Sequence, residues 1–137
     1  MRTLFLAAGN PLRHDDGAAH AAVAAIPGAE CRHVLQWTIE FAAEFEPFDA
    51  VVFVDADAVA REVRLEPVED WDSDGGLTHE CSPAQLVALA RELFGFQGEA
   101  WVCRIPARDF SIEEGHSDVA LVAVRDAATA LACFVVA

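Results

Sequence analysis

The chain contains no lysine, and its nine basic residues, all arginine, stand against 23 acidic ones. The net charge of −14 repels phosphate backbones, so nucleic acid is not an expected partner. An acidic surface also disfavours anionic membranes. No apolar run approaches the roughly 18 residues of a membrane span. The N-terminus offers only Thr3 to Ala8 before Gly9-Asn10-Pro11, too short for the apolar core of a signal peptide. A cytoplasmic chain with no membrane partner is therefore expected. Cys31, Cys81, Cys103 and Cys133 form no Cys-x-x-Cys pair. Without an export signal, reduced thiols are expected, most of them small core residues. Repeats, low-complexity tracts and linkers are also missing, which leaves residues 1–137 as a single domain.

What is present is apolar. Hydrophobic residues make up 54% of the chain and mean hydropathy is +0.26, enough to bury a real core and to exclude disorder. Residues 2–8 read as a buried strand and 9–16 as a turn-rich loop. An alanine-rich helix from about Gly17 to Ile26 is stopped by Pro27-Gly28. Residues 30–35 suggest a second strand and 38–46 a short helix broken by Pro47. Residues 49–56 form the clearest strand, a continuous apolar run of the parallel-sheet kind. Residues 62–68 alternate, with Pro67 marking an edge or antiparallel strand. Residues 70–78 read as a polar loop. Ser82 can cap a helix from Pro83 to about Phe94. A strand at 99–105 and a helix from Ser117 to about Phe134 complete the chain. Strands alternating with helices predict an α/β domain in three layers, a mostly parallel twisted sheet of about five strands with helices on both faces.

In such a fold, sites collect beyond the carboxyl ends of the strands. Asp15-Asp16 close the first loop, Asp55 ends the third strand with Asp57 just beyond, and His79 lies in the loop before the 82–94 helix. Carboxylates and an imidazole converging from separate loops make a divalent-metal site, with nickel, zinc, manganese and iron all open. Each residue also has a plainer reading. Asp15 or Asp16 can cap the helix that follows. His79 can be an ordinary loop histidine. Asp55 is harder to explain away, because a charge ending an apolar strand needs a partner or a role. Clustered, the three aspartates should repel, so at least one carboxyl should have a raised pKa in the metal-free protein. His20, four residues after Asp16, shares its helix face and reads as a packing residue at the margin. Cys81, two residues from His79, has no marks of an activated thiol. His14, His33 and His116 show no pattern.

Gly9-Asn10-Pro11-Leu12, two residues, then Asp15-Asp16-Gly17 resembles the GNxLxxDDG signature of the nickel–iron hydrogenase maturation proteases. Val51 to Ala56 (VVFVDA) is similar to that family's strand ending in Asp-Ala. Thr78-His79, then Ser82-Pro83 and a leucine-rich helix, is similar to its histidine loop. Order and spacing agree over about residues 3–125. The resemblance implies Asp16, Asp55 and His79 as metal ligands and as the residues on which catalysis depends. It implies an endopeptidase whose partner is the hydrogenase large-subunit precursor and whose metal is nickel presented by that substrate. The enzyme would remove a C-terminal extension, with the metal as a check on loading and as a polariser of the scissile carbonyl or of an attacking water. The free chain is expected to be a monomer.

The chain departs from the pattern at 35–41. Leu35-Gln36-Trp37-Thr38-Ile39-Glu40-Phe41 is closest to a subgroup with His-Gln-Leu-Thr-Pro-Glu-Leu, keeping Gln36, Thr38 and Glu40. Ile105 to Phe110 also resembles that subgroup. His14 replaces a common glycine. A response-regulator receiver domain shares the arrangement of aspartates but needs a lysine this chain lacks. A Rossmann nucleotide binder needs a G-x-G-x-x-G loop, also missing. A non-catalytic metal-binding or hydrogenase-assembly chaperone of the same fold remains the alternative.

Overall fold

The computed structural model describes residues 1–68, 81–111 and 115–135. Five strands form one sheet: β1 (Thr3–Ala8), β2 (Glu30–Val34), β3 (Ala50–Asp57), β4 (Arg64–Pro67) and β5 (Glu99–Pro106). Their spatial order is β2-β1-β3-β5-β4. All neighbours are parallel except β4, which runs antiparallel to β5 at the edge. The order follows from side-chain chemistry. β1 and the Ala50–Val54 part of β3 are fully buried and take interior positions. β2, with Glu30, Arg32 and His33 exposed, takes the other edge. Pro67 is tolerated because β4 has only one neighbour.

Three α-helices cover the sheet: α1 (Ala18–Ala24), α2 (Pro83–Leu93) and α3 (Asp118–Leu131). Strand side chains alternate between faces. Phe5, Ala7, Val52, Val54, Cys103 and Ile105 meet α1 and α3 on one side. Leu4, Leu6, Val51 and Phe53 meet α2 and the segment Ala42–Phe48 on the other. The expected three-layer α/β architecture is the one observed.

The differences are local. The helix expected from Gly17 to Ile26 is α1 preceded by a separate 3-10 turn, His14–Gly17, because this segment is tied to distant chain rather than to a regular helix. Residues 38–46 hold a 3-10 segment, Ile39–Glu44, instead of an α-helix. α2 begins as expected: the Ser82 hydroxyl accepts from Gln85 N–H while the Gln85 side chain accepts from Ser82 N–H, and Pro83 occupies the first turn. Of the four free cysteines only Cys81 and Cys103 are buried. Cys31, half-buried on the edge strand, packs against the core from its margin, and Cys133 departs from the expected core role because it lies on the exposed end after α3. Among the described residues no helix is long and apolar enough to cross a membrane.

Candidate functional site

β1 pairs with β2 on one side and β3 on the other, so the chain reverses its winding between β1 and β3. That is where a doubly wound sheet opens a crevice at its carboxyl edge. Asp16 follows β1 and Asp55 lies near the end of β3.

Asp16 reaches this position because the chain folds back after β1. Gly9 has φ +137°, and a β-carbon there would lie 1.9 Å from the Asp16 carbonyl oxygen. Only glycine permits both the conformation and the approach. The Asn10 N–H then donates to Asp16 Oδ2 at 2.7 Å, while Asn10 Oδ1 accepts from Leu12 N–H at 2.9 Å and closes the next turn. Asp55, following Val51 and Phe53 by alternation, faces the α2 side. Burial pushes its carboxyl up to about 6. The backbone N–H of Ala56 opposes that shift, the Asp16 charge adds to it, and Arg104, its register partner on β5, opposes it. The Asp16 charge thus disfavours ionised Asp55, and among the described residues Arg104 is the positive group that counters it. A half-buried carboxylate raised by burial and by a second carboxylate is a donor set that a cation would relieve, so these residues fit a divalent metal.

Asp15 does something else. It has no exposed surface, and it accepts from the N–H groups of Arg108 (2.8 Å), Asp109 (3.0 Å) and Ser117 (2.6 Å) and from the Ser117 hydroxyl (2.5 Å). Burial alone would raise its carboxyl, but the bonds from Ser117, Arg108 and Asp109 outweigh it and hold the group down at about 2. Ser117 is the N-cap of α3. Asp15 therefore braces a different helix from the one it precedes. Asp57 turns back on its own chain, accepting from Val59 and Ala60 N–H, which holds its carboxyl low and closes the loop after β3.

His79 lies outside the described residues. Among the described residues no three histidine, cysteine, aspartate or glutamate side chains gather as a metal site. The Cys81 thiol is pushed up by burial and by Glu40, the opposite of an activated nucleophile. His20 is not simply packed at a margin: its Nε2 lies 2.7 Å from Gly9 O and its Nδ1 2.9 Å from His33 Nδ1. His14 has φ +47°, and its Nε2 lies 3.8 Å from both Asp15 and Asp109. The Nδ1 atoms of His14 and His116 are buried with no partner among the described residues.

Two residues have structural roles that their place in the sequence does not assign. Trp37 stands edge-on to Phe53 with ring centroids 5.2 Å apart and donates its indole N–H to Leu6 O. Its backbone carbonyl accepts from Cys81 N–H, joining the 35–41 segment to the start of α2. Arg108 donates to the carbonyls of Ala58, Ala60 and Ala107 and braces the loop after β3. The sequence signal for Trp37 was its place in the divergent segment; Arg108 carried none beyond its subgroup-like stretch.

No protein-family model matches the chain, and no curated protein matches it. Solved structures do. The hydrogenase maturating endopeptidase HybD from E. coli superposes with a TM-score of 0.74 at 15% identity, over 98% of this chain and 92% of that one. The [NiFe] hydrogenase maturation protease HybD from Thermococcus kodakarensis gives 0.73 at 24% identity, over 98% and 99%. The endopeptidase HycI from Escherichia coli gives 0.67 at 18% identity, over 99% and 92%. The chain has the fold of the hydrogenase maturation endopeptidases.

Proposed function

We propose that this protein is a hydrogenase maturation endopeptidase, which removes the C-terminal extension of a nickel-loaded large-subunit precursor in the cytoplasm. The observation that carries the reading is the placing of Asp16 after β1 and Asp55 near the end of β3, on the two sides of the switch point, in a fold shared over nearly the whole length of such enzymes. Asp16, Asp55 and His79 would engage the nickel held by the precursor. When bound, the metal supplies Lewis-acid polarisation at the scissile peptide. This chain supplies two carboxylates whose mutual repulsion a cation relieves. At pH 7 an Asp55 carboxyl near 6 is mostly ionised, so little proton competition stands against that cation.

The deciding experiment is cleavage of a nickel-loaded precursor, read as the mass loss of its extension. Wild type should cut. Asp16→Ala, Asp55→Ala and His79→Ala should each abolish cutting while circular dichroism shows a folded chain. Full processing by Asp16→Ala would refute metal recognition through that carboxylate. A wild type that binds the precursor but never cuts it would establish the chaperone alternative instead.

A further inference from the structure

We propose that His20, oriented by His33, is a positioning residue for the Asp16 carboxylate and acts through the Gly9–Asn10 peptide. The inference rests on the reading of Asp16 as a residue that engages the precursor's metal.

The geometry assigns the protons. A carbonyl oxygen only accepts, so the His20 nitrogen 2.7 Å from Gly9 O, Nε2, carries a hydrogen. A neutral imidazole then leaves Nδ1 of His20 as an acceptor. The His33 nitrogen 2.9 Å away, Nδ1, must therefore be the donor. Partial desolvation of the ring on this otherwise exposed strand, together with the neighbouring His20, favours the neutral form of His33, which is compatible with this pairing. On the far side of the same peptide unit, the Asn10 N–H donates to Asp16 Oδ2 at 2.7 Å. Among the described residues this is the one hydrogen bond made by the Asp16 carboxylate. The chain of bonds runs from His33 on the edge strand β2, through His20 on α1, across one planar peptide, to the carboxylate.

The peptide is rigid, and its two ends are electronically coupled. A donor on its carbonyl turns the plane and polarises the amide, which strengthens the N–H at the other end. The preceding peptide is tied to β2 as well, its Gly9 N–H donating to Val34 O at 3.1 Å. The orientation of Asp16 thus depends on two histidines that never touch it. In metal sites, groups that orient a ligand in this way typically change affinity or activity by about 10- to 100-fold when removed.

The test uses the full-length chain labelled with ¹⁵N and ¹³C. Long-range ¹H–¹⁵N correlations at pH 8 should find His20 protonated on Nε2 and His33 on Nδ1. His20→Gln keeps a donor near the Nε2 position, whereas His20→Leu keeps bulk and loses it. In His20→Leu the Asn10 amide proton should move upfield and the Asp16 carboxyl carbon should shift. In His20→Gln both should stay near wild type. Cleavage of the nickel-loaded precursor should lose about 10- to 100-fold in kcat/KM with His20→Leu, mainly through KM, and recover most of it with His20→Gln. A brace without a positioning role would lower Tm in both variants and leave kcat/KM of the folded protein unchanged. Asn10 and Asp16 resonances that ignore His20→Leu would overturn the inference whatever the cleavage result. A wild type that cuts nothing would defeat the proposed function alone, since the resonances still judge the relay.

Discussion

Replacing Asp15 by asparagine changes almost no volume and removes one buried charge. Four donors converge on that carboxylate: three backbone N–H groups and the Ser117 hydroxyl. The best asparagine rotamer places its carbonyl oxygen where Oδ2 stood, keeping Arg108, Asp109 and the hydroxyl. Its NH₂ then faces the Ser117 N–H, donor against donor. One buried donor left unpaired costs about 1–3 kcal/mol, and three bonds weakened from charged to neutral cost more, so the expected loss is about 3–5 kcal/mol at pH 7. For a chain of this length that is a fall in Tm of roughly 10–15 °C. The pH dependence gives a second check. Asp15 is held at about 2, below its ordinary 3.8. A depressed carboxyl contributes stability that is complete above the unfolded pKa and lost as pH falls through the folded one, here about 2 kcal/mol. The penalty of the variant, from urea denaturation at pH 7, 5, 4 and 3, should be flat down to about pH 5 and then begin to shrink. A penalty under about 1 kcal/mol at pH 7, or one still undiminished at pH 3, would refute the account.

Asp55→Asn should have the opposite sign in metal-free protein. A carboxyl raised from 3.8 to about 6 destabilises the fold above pH 6, and that cost fades as pH falls toward 4, so with chelator present the variant should be about 1–3 kcal/mol more stable at pH 8 and equal to wild type below pH 4 by urea titration. Equal stability at pH 8 would show that Asp55 is not desolvated. Gly9→Ala forces a β-carbon to 1.9 Å from the Asp16 carbonyl oxygen at φ +137° and should cost more than about 3 kcal/mol; an unchanged thermal melt would contradict the close approach. Trp37→Leu removes the N–H bond to Leu6 O and the edge contact with Phe53, an expected loss of about 2–3 kcal/mol by denaturant titration, and a neutral result would mean the 35–41 segment is not anchored there. Ser82→Ala breaks the reciprocal cap of α2 and should cost about 1 kcal/mol, visible as a lower urea midpoint; no change in the midpoint would mean the cap is not made in solution.

Much of the architecture was readable because its signals are local. A short apolar run rich in β-branched residues such as Val51–Val54, with Pro47 before it, favours a strand covered on both faces, and Ser82-Pro83 with Gln85 marks a helix start through bonds that span three residues. Pro67 placed β4 at an edge by the donor it lacks. The positions of Asp16 and Asp55 at strand ends were also legible, because an α/β order by itself puts those ends on one rim of the sheet. What each polar group does there was decided by the tertiary structure. Asp15 and Asp16 are adjacent and chemically identical, yet one is locked by Ser117, 102 residues away, while the other accepts from the Asn10 N–H in the turn after β1. His20 looked like packing until the fold brought His33 and the Gly9 carbonyl to its two nitrogens. Periods of 2 and 3.6 report which side of an element is apolar. They carry no information about which donor from a distant segment will meet a buried acceptor, because that pairing is set only when the layers close and every polar group cut off from water must find a partner.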